Sequence, residues 1–86
     1  MSKVRILILG TDCPKCKQAY ANAERAVERY AGTACLEKVD DLEEIMKYGV
    51  MMVPGVVING RVVSVGQSPS VEQFSKWIEE TESTET

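Results

Sequence analysis

VRILILGTDCPKC, residues 4–16, changes character at its middle. Val4 to Leu9 is a short, nearly continuous apolar run, as expected of a strand buried on both faces. Gly10, Thr11 and Asp12 interrupt it. Pro14 then suits the first turn of a helix, where its missing N–H leaves nothing unsatisfied. Ala19, Tyr20, Ala23, Val27 and Tyr30 follow along one helical face, with Glu24, Arg25, Glu28 and Arg29 mostly on the other. Gly32 is the expected C-terminal cap. Cys13 and Cys16 therefore stand where a strand hands over to a helix.

Working outward, Thr33 to Val39 reads as a second strand. The intervening helix makes a βαβ crossover, so the first two strands are expected to be parallel. Asp40 and Asp41 offer N-caps, with Glu43 and Glu44 at capping-box spacing. A short helix through Leu42, Ile45 and Met46 should close near Gly49, with Lys47 in its last turn. VVI and RVVSV then flank Asn59-Gly60, a strong hairpin signal. Ser68-Pro69-Ser70 opens a final helix with Val71, Phe74, Trp77 and Ile78 on one stripe. The expected order is β-α-β-α-β-β-α: an α/β domain over residues 1–80, with helices flanking a central four-stranded mixed sheet. Residues 81–86, TESTET, are read as a polar C-terminal tail that frays.

Composition narrows the function. With 86 residues the chain is large enough for one domain and one core, and 44% hydrophobic content supports a packed interior. A net charge of −3 argues against a nucleic-acid binder, which needs a basic stripe. No apolar run approaches the roughly 20 residues that span a bilayer. MSKVRILILG lacks the small-residue cleavage pattern of a signal peptide, so a cytoplasmic location without membrane attachment is expected. There is no histidine, which removes histidine-based acid–base catalysis and histidine-containing zinc sites. Three cysteines do not make a structural disulfide framework. Cys35, on the second strand, reads as a small buried hydrophobe, the alternatives being a regulatory or glutathionylated thiol.

The chemistry left is that of thiols, carboxylates and backbone. A helix N-terminus carries unsatisfied N–H groups and favours a thiolate at Cys13, while Cys16 one turn on can reach back. The dipole supplies roughly 0.3–1 kcal/mol. Lowering a free cysteine from about pKa 8.5 to about 7 takes about 2 kcal/mol, so the dipole needs help. Lys15 and the Cys16 S–H are the nearest helpers, and an ionised Asp12 would oppose them. A mononuclear zinc site wants four ligands, more than three cysteines supply. The rival reading is a soft-metal module: Cu(I) accepts two thiolates, and Met51 and Met52 add soft sulfur. A binding platform with vestigial redox chemistry is the third.

Cys13-Pro14-Lys15-Cys16 after the first strand, with Val53-Pro54 just before the hairpin, resembles the thioredoxin/glutaredoxin superfamily. The likeness is greatest to small prokaryotic thioredoxin-like redox-active disulfide proteins and extends over nearly the whole chain. It implies a thioredoxin-like fold and thiol–disulfide exchange without a cofactor or metal. Cys13 would attack a protein disulfide, Cys16 would resolve the mixed disulfide, and a reductase or dithiol donor would reset the pair. It also implies that Pro54 is cis beside the motif, and that Met52, Val53 and Pro54 meet the substrate chain. Asp12, Pro14 and Lys15 are assigned supporting roles in tuning the thiol. Asp12 replaces the tryptophan of typical thioredoxins, and Pro-Lys replaces their Gly-Pro. VGQSPS lacks the Asp or Cys of a glutathione-binding segment, which argues against glutathione binding. Copper chaperones also place a Cys-x-x-Cys after a first strand, but in the order β-α-β-β-α-β. A monomer is expected.

Overall fold

The computed structural model describes residues 4–30 and 33–84. Strands β1 (Val4–Leu9), β2 (Ala34–Val39), β3 (Gly55–Ile58) and β4 (Arg61–Val65) alternate with helices α1 (Pro14–Arg29), α2 (Leu42–Lys47) and α3 (Val71–Thr84) in the expected order. The sheet order is β2-β1-β3-β4. β1 and β2 are parallel, because α1 returns the chain across the sheet, and Val4 faces Ala34 while Leu9 faces Val39. β3 lies antiparallel to β1, with Leu9 opposite Gly55, and antiparallel to β4. Asn59 and Gly60, at φ 50° and 83°, close the β3–β4 hairpin. Two consecutive positive φ values match the strand twist, which is why Asn-Gly serves here.

Alternation along β1 divides the core. Val4, Ile6 and Ile8 face α1 and α3, where they meet Ala19, Ala23, Ala26, Phe74 and Ile78. Leu7 and Leu9 face the other way, toward Ile45, Val50 and Val57. Short α2 covers only the Cys13 end of that second face, so Arg5 stays exposed at the far end and pairs with Glu37 at 3.0 Å. Phe74 and Trp77 meet edge to face, with ring centroids 5.6 Å apart.

Several details depart from the sequence reading. The buried stripe of α1 is Cys16, Ala19, Ala23 and Ala26; Tyr20, Val27 and Tyr30 are half-buried along its margin. Small residues take the centre because α1 must lie close against both the sheet and α3. Asp41 caps α2 by accepting the Glu43 N–H at 2.9 Å. The capping box is not completed: Glu44 turns to Lys47, 2.8 Å away, and raises its pKa by hydrogen bonding and charge. Leu42 and Met46 are exposed, leaving Ile45 as the one buried residue of α2. α3 is capped by Ser70, whose Oγ accepts the Gln73 N–H at 3.2 Å, and runs on to Thr84, into the stretch expected to fray. The proposed Gly32 cap lies outside the described residues.

Candidate functional site

Cys13 is the N-cap of α1. Its backbone is extended (φ −71°, ψ 154°), and Pro14 begins the helix behind it. In this geometry a cap side chain turns back toward the open N–H groups of the first turn. The Cys16 N–H donates to Cys13 Sγ at 3.1 Å. Were the same N–H to point at a charged Cys13 thiolate in the dithiol form, such a bond would contribute about 1.5–3 kcal/mol, enough to supply what the dipole alone does not. The helper sought among Lys15 and the Cys16 S–H is therefore joined by a backbone amide. No acidic residue occupies the first turn of α1 to work against it.

The two sulfurs are joined in a disulfide, with Cα atoms 5.1 Å apart. Their surroundings differ sharply. Cys16 is only 1% exposed, while Cys13 is half-buried at the surface. Pro14 and Lys15 between them are exposed. Asp12 turns aside to Lys38 at the end of β2, with Nζ 3.5 Å from Oδ1. The carboxylate next to Cys13 thus has its own counter-charge, a partner 26 positions away that local reading did not find.

Pro54 is fully buried, and the Val53–Pro54 peptide bond is cis. The Pro54 carbonyl accepts the Gly66 N–H at 2.8 Å, tying this turn to the end of β4. Among the described residues, no turn or loop backbone hydrogen bond engages Val53, which is itself half-buried. Met52 lies over Gly66 and remains 64% exposed; Met51 is 94% exposed and so is not a packing residue. Among the described residues, no three His, Cys, Asp or Glu side chains gather into a cluster that could hold a metal ion; a two-thiolate Cu(I) site does not need one.

Gly10, which interrupts the apolar run in the sequence, belongs to this site. It is buried at the end of β1, and a side chain there would meet the Cys16 sulfur and the Pro54 backbone. A glycine three residues before the motif was the available signal. Cys35, in contrast, is half-buried rather than buried, because β2 is an edge strand; it stands opposite Arg5, toward the other end of β1 from Cys13. A cleft of about 620 Å³ beside the hairpin, lined by Ile58, Arg61 and Trp77, is also at that remote end.

Residues 3–79 match the family described as thioredoxin domain. A thioredoxin of Methanocaldococcus jannaschii is 42% identical over 73 residues, covering 85% of this chain and 84% of the relative. A thioredoxin of Methanothermobacter thermautotrophicus is 30% identical, with 85% and 95% covered. The solved structure of chloroplastic thioredoxin z superposes with a TM-score of 0.81 at 15% identity, covering 95% of this chain and 80% of that one, a likeness of fold. With this family match added to a close cysteine pair at a helix start, the chain belongs to the thioredoxin domain family and is a thiol–disulfide oxidoreductase.

Proposed function

We propose that the protein reduces disulfides of protein substrates, with Cys13 as the attacking and Cys16 as the resolving cysteine. The observation that carries this reading is the asymmetry of the pair. Cys13 is reachable and accepts the Cys16 N–H, whereas Cys16 is buried behind it. In the dithiol state the Cys13 thiolate attacks a substrate disulfide, forming one S–S bond and releasing one substrate thiolate. Cys16 then gives its proton to the departing second substrate sulfur and closes the Cys13–Cys16 bond. Among the described residues Ser75 is the one polar residue buried as a whole, so no buried carboxylate supplies an intramolecular proton acceptor.

Pro54 lies across Gly10 from the Cys16 sulfur, with Val53 and exposed Met52 just before it in the chain. An unengaged Val53 backbone suits pairing with an extended substrate segment, a mode that gives affinity without demanding one sequence. A reductase or dithiol donor in the cytoplasm would restore the dithiol, and the protein would work as a monomer. The Cu(I) reading finds less support, because α2 stands between β2 and β3, unlike the β-α-β-β-α-β order. Reduction of insulin disulfides by the dithiol form tests the proposal: stoichiometric reduction is expected. No reduction, together with tight one-to-one Cu(I) binding, would transfer the pair to metal handling.

A further inference from the structure

Glycines serve two different ends in this chain. Gly49 and Gly60 adopt φ +73° and +83° with open space around them, so they are needed for conformation. Gly10 is absent from the residues with positive φ, and any L-residue could adopt its backbone. What excludes a side chain there is space. A Cβ on Gly10 would stand 2.7 Å from Cys16 Sγ, 3.2 Å from Cys16 Cβ and 3.8 Å from the Pro54 Cα. Separations below about 3 Å are well inside van der Waals contact, which for carbon begins near 3.5 Å.

Neither partner in this approach can easily retreat. The Gly10 N–H donates to the Val39 carbonyl at 2.9 Å, extending the β1–β2 pairing by one step. Cys16 is in the first turn of α1, 1% exposed, with its N–H committed to Cys13 Sγ. In the disulfide, the Cys16 sulfur is also tethered to Cys13 and cannot turn to another rotamer. In the dithiol that tether is gone, and the side chain can choose a different staggered position. A methyl group at position 10 therefore burdens the disulfide more than the dithiol.

We propose that Gly10 is a positioning residue for the Cys16 sulfur: its missing side chain leaves the space in which that sulfur sits to close the disulfide. The inference rests on the exchange roles proposed for the two cysteines. In the step concerned, the Cys16 thiolate attacks Cys13 Sγ of a mixed disulfide. The Cys13–Cys16 bond forms, the bond to the substrate sulfur breaks, and the electron pair leaves on that sulfur with the proton Cys16 gave up. Crowding of Cys16 Sγ slows this closing step and leaves the preceding attack by Cys13 nearly unchanged.

The test is Gly10→Ala, equilibrated in a dithiothreitol redox buffer. The disulfide-to-dithiol ratio is expected to fall about tenfold at a given buffer potential, a shift of about 30 mV toward a less negative value. Resolution of a preformed mixed disulfide should slow about tenfold, while alkylation of Cys13 by iodoacetamide changes less than twofold. Denaturant unfolding of both forms separates this role from simple crowding of the fold. A larger loss of stability in the disulfide form supports the proposal; equal loss in both, with an unchanged redox equilibrium, overturns it. If Gly10→Ala does not fold, Gly10→Ala/Cys16→Ala decides, since removing the sulfur should make the methyl tolerable; failure of that variant also overturns the proposal. Inability of the wild-type protein to reduce insulin would defeat the functional reading separately, because the small-dithiol equilibrium would still be measurable.

Discussion

The Cys16 amide donates to Cys13 Sγ across 3.1 Å, so one cysteine's backbone supports the other's sulfur. The donor is fixed by the helix and needs no side chain to be ordered. In the dithiol form the same N–H, with the helix N-terminus behind it, favours the Cys13 thiolate. Lowering the pKa raises the reactive fraction at neutral pH. Iodoacetamide alkylation followed against pH should therefore show Cys13 titrating below the ordinary value of about 8.5. Cys16, 1% exposed, should be alkylated much more slowly. Equal rates at the two sulfurs would contradict the asymmetry.

Lys38 pairs at 3.5 Å with Asp12, the residue that precedes Cys13 in the chain. The Asp12 side chain is 88% exposed, so solvent screens the pair and the effect is modest. Lys38→Met leaves the carboxylate uncompensated and should raise the Cys13 pKa slightly. Asp12→Asn should lower it by a similar amount, and the double variant should return close to wild type. Roughly 1 M salt should flatten all these differences. A Lys38→Met protein with an unmoved or lower thiol titration would show that the pair does not act on Cys13.

Cys35 stands opposite Arg5 on an edge strand, away from the motif end of β1. Cys35→Ala is expected to leave the rate of insulin reduction within about twofold of wild type. The assay is simple, and a large loss would give this thiol a part in exchange.

Phe74 has no exposed surface and joins α3 to the β1 face of the core. Truncating such a side chain removes transferred apolar area and leaves a cavity. Phe74→Ala should cost about 3–5 kcal/mol, read as a lower denaturant midpoint in both redox forms. A loss below about 1 kcal/mol would mean that α3 is not anchored as described.

These residues also show what a linear reading captures. The β1 run, the Cys13–Cys16 spacing and Asn59-Gly60 carry their signals within a few positions, and each forms the expected local structure. Ala26 replaced Val27 in the α1 core because available depth, not hydrophobicity, selects residues between a sheet and a helix. Leu42 and Met46 are exposed because α2 is too short and too peripheral to bury a full apolar stripe. The Asp12–Lys38 pair and the contact between Gly10 and Cys16 depend on tertiary proximity. Local spacing does not encode either one.

The central claim is that Cys13 attacks and Cys16 resolves. It is tested most directly by mixing the Cys16→Ser protein, in its thiol form, with a disulfide substrate and locating the product by mass spectrometry. The account predicts a stable mixed disulfide on Cys13, and neither adduct nor turnover from Cys13→Ser run in parallel. An adduct on Cys35, or full turnover by the Cys13→Ser protein, would contradict it.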